Sequence, residues 1–518
     1  MKISRIVPLA LVASLGVMQA QERPNLLVIH TDEQTFRSLG CYRALMDNSQ
    51  ALPWGEDAVV ETPNLDRLAT EGAICTRYYA SCPVSTPSRA SLQTGLYPIS
   101  TGAPINDMAM DPNLTTYAQK LKEAGYNTSY VGKWHLSGVP NINRPYFEPG
   151  YNFGYMDRRY MYDNGHWKWF EIVGELNQVV GHYKVPAGKE VVYSTDYLTD
   201  RALEVLEKDS QGEAPFYMMI SIPDPHSPDI GKEPYLSEYL EKEYSSPETF
   251  VTKLSDERPV WGRGGFDVRD KGFNAAAVAN YFASVKCIDD NVGRIFDYLE
   301  DHGLMDNTII IFSSDHGDML YEHSRINKGV PYEAAARIPF MIRYPKLIEA
   351  GKVISTPYTT VDFAPTILGL MNVEQIEGVE GENYAEDFTS KETIVHSDRI
   401  VYITASPRPE WTMATDGRYK LILSCKDHPW LIDLERDPNE QINFYSDPLY
   451  SEIANRLQAE LNRQMELYND PALSYDYPFV QSSDAQINYN RKPIEGYKAE
   501  ALGAMIMDIE QTCIRPLK

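Results

Sequence analysis

The sequence predicts an α/β fold: a large, mostly parallel or mixed sheet sandwiched by helices, followed by a smaller C-terminal α+β domain that contains an antiparallel sheet. Three observations predict it. Several short, near-continuous apolar runs read as strands buried on both faces. Helical patterns lie between them, and strands alternating with helices give a parallel sheet covered on both sides. After about residue 391 the pattern changes to closely spaced short runs, two of them joined through an Asp416-Gly417 turn, as in an antiparallel sheet.

Taken in order, residues 1–20 carry Lys2 and Arg5, then an apolar run over 6–17, then Met18-Gln19-Ala20. This reads as a secretory signal peptide cleaved near Ala20, so the mature chain is expected to be exported and periplasmic. The run is shorter than the roughly 20 residues that a membrane span needs, and no other stretch of the sequence reads as a span. Residues 21–390 then form the main domain and 391–518 the smaller one. Within the first, the run at 25–30 leads into Thr31-Asp32-Glu33-Gln34, and 128–131 into Gly132-Lys133-Trp134-His135. The run at 216–222 leads into Pro223-Asp224-Pro225-His226, and 308–313 into Ser314-Asp315-His316-Gly317. Helical patterns occupy 114–124 before Gly125, 195–208, 274–302 before Gly303, and 362–371; strands of the smaller domain occupy 399–404, 411–423 and 430–434. Ligands of open α/β sheets bind beyond the carboxyl ends of the strands, so four separate segments are expected to bring polar groups to one edge.

Composition bounds the function. In 518 residues, 43% hydrophobic and 23% charged residues exclude collagen, coiled coil and wholesale disorder. Asp plus Glu number 73 against 48 Lys plus Arg, a formal net charge of -25, which argues against nucleic acid or an anionic membrane as partner. An anionic substrate therefore requires local positive charge. The six cysteines (Cys41, Cys75, Cys82, Cys287, Cys425, Cys513) contain no CxxC pair and are too few for a disulfide scaffold.

The sharpest local signal is Ser85-Thr86-Pro87-Ser88-Arg89, followed by Thr94-Gly95. Thr86 is a good N-cap and Pro87 suits the first helical position, so a helix is expected to begin there with Ser85 just before its positive end. An anion beside Ser85 would meet free backbone N–H groups, and Arg89 in the first turn would reach back as a fixed cation. This segment resembles the signature of the formylglycine-dependent sulfatases, in which Cys or Ser, any residue, Pro, any residue and Arg precede Thr-Gly. Chance matches to five fixed positions are on the order of 10⁻⁴ in a chain of this length. Residues 23–34, 132–135, 225–228, 314–317, 328–333 and 431–438 resemble further blocks of that family, in family order.

The resemblance implies an alkaline-phosphatase-like fold and a serine-type member, with Ser85 oxidised after synthesis to formylglycine (3-oxoalanine) by a serine-type sulfatase-maturating enzyme. Cys82 does not fit the register, since Pro83 follows it directly. It further implies that Asp32, Glu33, Asp315 and His316 hold a divalent metal. Oxygen-rich ligation favours calcium, with magnesium next. The family more often has Asp where Glu33 stands. Arg89 and Lys133 would hold nucleophile and sulfate, and His135 would act on a hydroxyl of the residue 85 diol. His226 and Lys328 would bind sulfate and protonate the leaving oxygen. Asp318 reads as a supporting residue and His323 as structural. The aromatic stretch 146–170 also carries Arg158, Arg159, His166 and Lys168. It reads equally as a sugar-binding wall, on which Arg158, Arg159 and His166 bind substrate, or as a packed excursion. The implied activity is hydrolysis of O-sulfate from a sulfated carbohydrate, a glycosaminoglycan or mucin-type oligosaccharide. The alternatives are a phosphatase or phosphonate monoester hydrolase on the same scaffold, and an exported glycan-binding protein without catalysis.

Overall fold

The structure is a computed structural model that describes residues 23–138, 152–163, 166–176, 178–253, 258–263, 265–406, 410–424 and 427–470. The expected signal peptide, residues 146–151 of the aromatic stretch, residues 471–518, Cys425 and Cys513 lie outside the described residues.

Eight strands form the main sheet: β1 (Asn25–Asp32), β2 (Ala73–Cys75), β3 (Asn127–Lys133), β4 (Asp157–Tyr162), β5 (Phe216–Pro225), β6 (Thr308–Ser314), β7 (Phe340–Arg343) and β8 (Lys352–Ile354). Their spatial order is β8-β2-β7-β6-β1-β5-β3-β4. The five strands from β6 to β4 run parallel, whereas β7 is antiparallel to both of its neighbours, so the sheet is mixed.

The apolar runs are continuous because both faces are covered. Leu26 and Val28 enter one core with Tyr217, Met219, Ile309 and Ile311. Their neighbours Leu27 and Ile29 enter a second core with Met218, Ile220, Ile310 and Phe312. Each such side chain contributes about 1.5 to 3 kcal/mol when fully buried, which favours the unbroken apolar run from Leu26 to Ile29 in the middle of the strand. Six helices supply the cover: α1 (Pro63–Thr70), α2 (Ser85–Thr94), α3 (Tyr117–Glu123), α4 (Ser194–Ser210), α5 (Ala275–Asp301) and α6 (Phe363–Leu370). Helices α2, α3 and α6 pack on the first face and α1, α4 and α5 on the second. Helix α5 starts where expected, with Asn274 Oδ1 accepting from the backbone N–H of Ala276 and Ala277 at 3.1 and 3.3 Å.

Strands β9 (Val401–Thr404), β10 (Trp411–Thr415), β11 (Tyr419–Ser424) and β12 (Trp430–Asp433) form an antiparallel sheet in chain order. Helix α7 (Ser451–Leu467) covers one face through Leu457, Leu461 and Met465. The other face sets Ile403, Met413, Ile422 and Ile432 against Tyr332, Ala334, Ala335 and Ala336 of the main unit. Lys420 crosses this seam fully buried, with Nζ donating to Pro331 O at 2.6 Å, Glu333 Oε1 at 3.0 Å and Glu440 Oε1 at 2.6 Å. Trp411 Nε1 donates to Gly329 O at 3.3 Å. The small sheet thus clamps the segment that follows Lys328.

Replacing Lys420 by Met leaves Glu333 and Glu440 buried together without their cation. The expected cost is about 3 to 5 kcal/mol in denaturant unfolding. A loss below about 1 kcal/mol, the scale of an exposed pair, would refute the clamp.

Candidate active site

Adjacent parallel strands deliver the acidic groups. Asp32 closes β1, and Asp315 and His316 follow β6, with Thr31 paired to Ser314 in the register. All three side chains are fully buried, and they offer ligand atoms within 4.8 Å of one another. Ser85, the first residue of α2, puts its Oγ 2.9 Å from His316 Nε2 and 3.4 Å from Asp32 Oδ1. His316 Nδ1 faces Gly317 O at 3.0 Å, so its N–H donates there and leaves Nε2 bare towards Ser85. Burial pushes His316 down to about 4. Two carboxylates, a neutral imidazole and a hydroxyl form a donor set that suits a hard divalent cation.

The helix begins at Ser85, two residues earlier than the capping pattern of Thr86 and Pro87 implies, with Val84 extended before it. The reason is a partner distant in sequence: Asn106 Oδ1 accepts from Thr86 N at 3.0 Å and satisfies a free N–H of the first turn. One turn on, Arg89 is fully enclosed. Its Nε donates to Asp315 Oδ2 at 2.8 Å, and its Nη1 to Ser221 Oγ at 2.8 Å and Lys133 O at 3.2 Å. Its Nη2 is buried without a hydrogen-bond partner and lies 4.0 Å from Asp32 Oδ1, the N–H left over for an incoming acceptor.

Two lysine–imidazole–carboxylate units stand side by side. In one, Lys133 Nζ lies 2.5 Å from Asp32 Oδ2 and 2.7 Å from His166 Nε2, itself 2.9 Å from Asp32 Oδ2. In the other, Lys328 Nζ lies 3.1 Å from Glu33 Oε2 and donates to His226 Nε2 at 2.7 Å. The two imidazoles stack at 3.9 Å with planes 9° apart. Burial opposes the charge on Asp32, yet the Lys133 ammonium with His226 and His166 outweighs it and holds the carboxyl well below its usual range. Asp315 is likewise lowered, burial being overcome by Arg89 together with His316 and Lys133. Lys133 is pushed down to about 8 by burial. Lys328 is raised, because Glu33, Asp32 and Asp315 together outweigh burial. Burial, and then Lys133, lowers His166 to about 3.

Glu33, the fourth metal ligand that the resemblance implies, is placed differently. Its backbone is left-handed (φ 63), its N–H is fixed on Asp315 Oδ1 at 3.1 Å, and its carboxylate turns to Lys328 and His226. Burial raises its carboxyl well above the usual range. The remaining oxygen, Oε1, is buried without a partner.

Arg158 and Arg159 do not join the cluster. They lie near the start of β4, whose Tyr162 is level with Lys133, so Arg159 stands about 10 Å back along the strand. Arg159 pairs instead with Asp157 and Glu204 at 3.0 and 3.2 Å. Tyr155, Tyr160, Tyr162, Trp167 and Phe170 are core residues, so the described part of the aromatic stretch is a packed excursion apart from His166. Lys168 is buried rather than open to substrate; its Nζ donates to Asp224 Oδ1 at 2.5 Å and to His226 O at 2.7 Å and so fixes the His226 backbone. Asp318 Oδ1 accepts from Leu320 N and Asn327 N at 2.7 and 3.0 Å, fastening the turn before Lys328. His323 stacks on Tyr332 at 3.7 Å, a structural role. His135, after β3, is left-handed (φ 59), and its Nε2 lies 3.0 Å from Asp107 Oδ1. Asp107, Ser221 and Lys168 belong to no motif at the site, and only the tertiary fold brings them there.

Comparison with known proteins identifies the fold and the family. Residues 24–373 match the family model described as Sulfatase, and residues 321–467 match the model of the N-sulphoglucosamine sulphohydrolase C-terminal region. The chain is 30% identical over 489 residues to the ulvan-active sulfatase of Formosa agariphila, covering 92% of this chain and 90% of that protein. It is 27% identical over 547 residues to an N-acetylglucosamine-6-O-sulfatase of Bacteroides thetaiotaomicron, covering 90% and 91%. A solved structure in complex with its substrate D-glucosamine-2-N,6-O-disulfate superposes with a TM-score of 0.68 at 24% identity, over 87% of this chain and 99% of that one. The parallel sheet with its charged carboxyl edge is therefore that of the alkaline-phosphatase-like superfamily, and the chain belongs to the sulfatase family within it.

Proposed function

We propose that this sulfatase removes O-sulfate from a sulfated carbohydrate oligosaccharide, of the glycosaminoglycan or mucin type, outside the cytoplasm. In this proposal Ser85 matures to formylglycine through a serine-type maturating enzyme, and the metal is calcium, with magnesium its nearest substitute. The observation that carries the reading is the position of Ser85 Oγ, between the Asp32–Asp315–His316 set and the unpartnered Nη2 of Arg89. The ulvan-active and N-acetylglucosamine-6-O relatives support a carbohydrate substrate. The leader pattern of residues 1–20 supports export.

Asp32, Asp315 and His316 would hold the cation, which supplies Lewis-acid stabilisation of negative charge on the sulfuryl oxygens. Formylglycine supplies a hydrated aldehyde, with one hydroxyl to attack sulfur and another through which the aldehyde is restored. The chain's own residues do the rest. Arg89 Nη2 and Lys133 Nζ receive sulfuryl oxygens from two sides. Lys328 keeps its proton because its Nζ donates to Glu33 Oε2 and stands in the field of Asp32 and Asp315. His226 donates Nδ1–H to Ser227 O at 2.7 Å and accepts from Lys328 at Nε2, so the proton offered to the leaving oxygen is on Lys328 Nζ. His166, stacked on His226, closes the water side of Asp32 and Lys133.

Protein matured in a serine-competent host is expected to carry an aldehyde at residue 85 by peptide mass spectrometry and to release sulfate from sulfated oligosaccharides. Faster turnover of phosphate or phosphonate esters at equal concentration would overturn the substrate class, and an encoded serine in active enzyme would overturn the nucleophile. Arg89→Ala and Lys133→Ala should each lower kcat/KM at least about a hundredfold, the scale of losing one fixed donor to a developing anion.

Calorimetric titration of the unmodified protein with calcium tests the metal set separately. Asp315→Ala is expected to weaken binding more than about a hundredfold, while Glu33→Ala stays within the roughly tenfold to hundredfold range of a supporting residue. Equal losses for the two variants would return Glu33 to the ligand set.

A further inference from the structure

The loop that carries Asn106 and Asp107 holds both the start of the helix that carries Ser85 and the side chain of His135. Asn106 Oδ1 accepts from Thr86 N at 3.0 Å, and Asp107 N donates to Thr86 Oγ1 at 3.3 Å. Thr86 Oγ1 in turn donates to His135 O at 3.0 Å. Residue 86 therefore ties the helix that starts at Ser85, the Asp107 loop and the His135 backbone into one assembly. Asp107 is itself left-handed (φ 63), and its side chain is about half exposed, unlike the enclosed carboxylates of the metal set.

His135 has two ring nitrogens in different situations. Nε2 lies 3.0 Å from Asp107 Oδ1. Nδ1 is buried and has no hydrogen-bond partner. A carboxylate can only accept, so the contact fixes the proton of the neutral imidazole on Nε2 and leaves the Nδ1 lone pair bare. The hydrogen bond from His135 holds Asp107 below the usual carboxylate range, and burial lowers His135 to about 4, so acceptor and neutral ring coexist at neutral pH. A bare, buried imidazole nitrogen on a residue whose backbone is tied to Thr86 has the character of a general base, and an acid–base dyad works when a carboxylate holds the ring in one tautomer.

We propose that Asp107 is the positioning residue of the reaction: it holds His135 in the Nε2–H tautomer so that Nδ1 takes the proton from the hydroxyl of sulfated residue 85 as sulfate departs. The inference rests on the proposed formylglycine chemistry. In that step the O–H bond breaks with its proton going to Nδ1. The freed pair closes the carbonyl, the bond from carbon to the sulfate oxygen breaks, and sulfate leaves as the dianion. Asp107 touches neither substrate nor residue 85 and gains no proton; it orients the ring and faces the imidazolium that forms.

The test is Asp107→Asn in the full chain. In unmodified protein labelled with 15N-histidine, wild-type His135 is expected to show a protonated Nε2 and a bare Nδ1, and the variant a tautomer mixture. In matured protein, kcat should fall about tenfold to a hundredfold with KM nearly unchanged. The residue 85 peptide of the variant, quenched during turnover, should carry a sulfate adduct that the wild type does not accumulate, because the deprotonation step has become slow. Asp107→Glu should recover part of the rate. In a His135→Ala background, Asp107→Asn should cause no further loss. An unchanged kcat without adduct, in protein that carries the aldehyde, overturns the inference and leaves the sulfatase chemistry standing. Active wild-type enzyme that lacks the aldehyde overturns the formylglycine reading and this inference with it.

Discussion

Asp32 and Asp315 are carboxylates with no solvent exposure at the ends of adjacent parallel strands, and the sheet edge is built around keeping them charged. Removing such an ion from water is unfavourable by several kcal/mol even after relaxation, and the deficit is offset only by cations in good geometry. Here the cations come from elsewhere in the chain: Arg89 from one turn into α2, Lys133 from the end of β3. The fold and the site are consequently one constraint. A one-residue slip of β1 against β6 would carry Asp32 to the opposite face, away from Arg89 and Lys133, and leave a buried charge unpaired.

The same logic gives the smaller sheet a part in the site without contributing a group to it. Lys328 needs its backbone held against Glu33 and His226, and it lies on a connecting segment rather than at the end of a central strand. That segment is gripped from behind. Trp411 binds Gly329 O, and Lys420 bridges Pro331 O, Glu333 and Glu440, while β9–β12 press apolar side chains against residues 332–336. Burial raises Glu440 to about 7 despite Lys420, a sign that the cation is shared between two acids rather than matched to one. Asp318 fastens the other side of the same turn.

Much of this is legible in the sequence, for a physical reason in each case. Strands covered on both faces favour apolar residues at successive positions, so the apolar runs of β1, β5 and β6 and the shorter one of β3 announce themselves, and their ends mark the site. Arg89 follows Ser85 by about one helical turn, which carries the geometry in the spacing itself. What stays hidden depends on three-dimensional neighbours. Glu33 has ligand chemistry, but its left-handed backbone and added methylene turn the carboxylate towards Lys328. Arg158 and Arg159 look like anion binders, but strand register puts them far from the edge. Core aromatics and sugar-binding aromatics have the same composition, so the 146–170 stretch is ambiguous until its burial is known. The start of α2 is set by Asn106, about twenty residues away, which no local capping pattern contains.

The charge count at the edge explains how a chain of net charge -25 can accept an anion. Arg89, Lys133 and Lys328 face Asp32, Glu33 and Asp315, so the protein groups come close to cancelling one another. Burial already favours a proton on Glu33, which tips the local balance slightly positive. A dication on the Asp32–Asp315–His316 set would tip it decisively, because the charge of a bound ion exceeds any side chain's and acts in a cavity with little solvent screening. The protein groups alone thus prepare a nearly neutral, donor-rich pocket, and affinity for a sulfate ester becomes conditional on the cation. The two stacked units divide between neighbouring residues at the end of β1: Asp32 pairs with Lys133 and Glu33 with Lys328, and in the proposed reaction the first would serve the sulfuryl side and the second the leaving group. The left-handed backbone at Glu33 is what lets both acids serve the site, since two successive acids in an extended strand would point to opposite faces and only one would reach it.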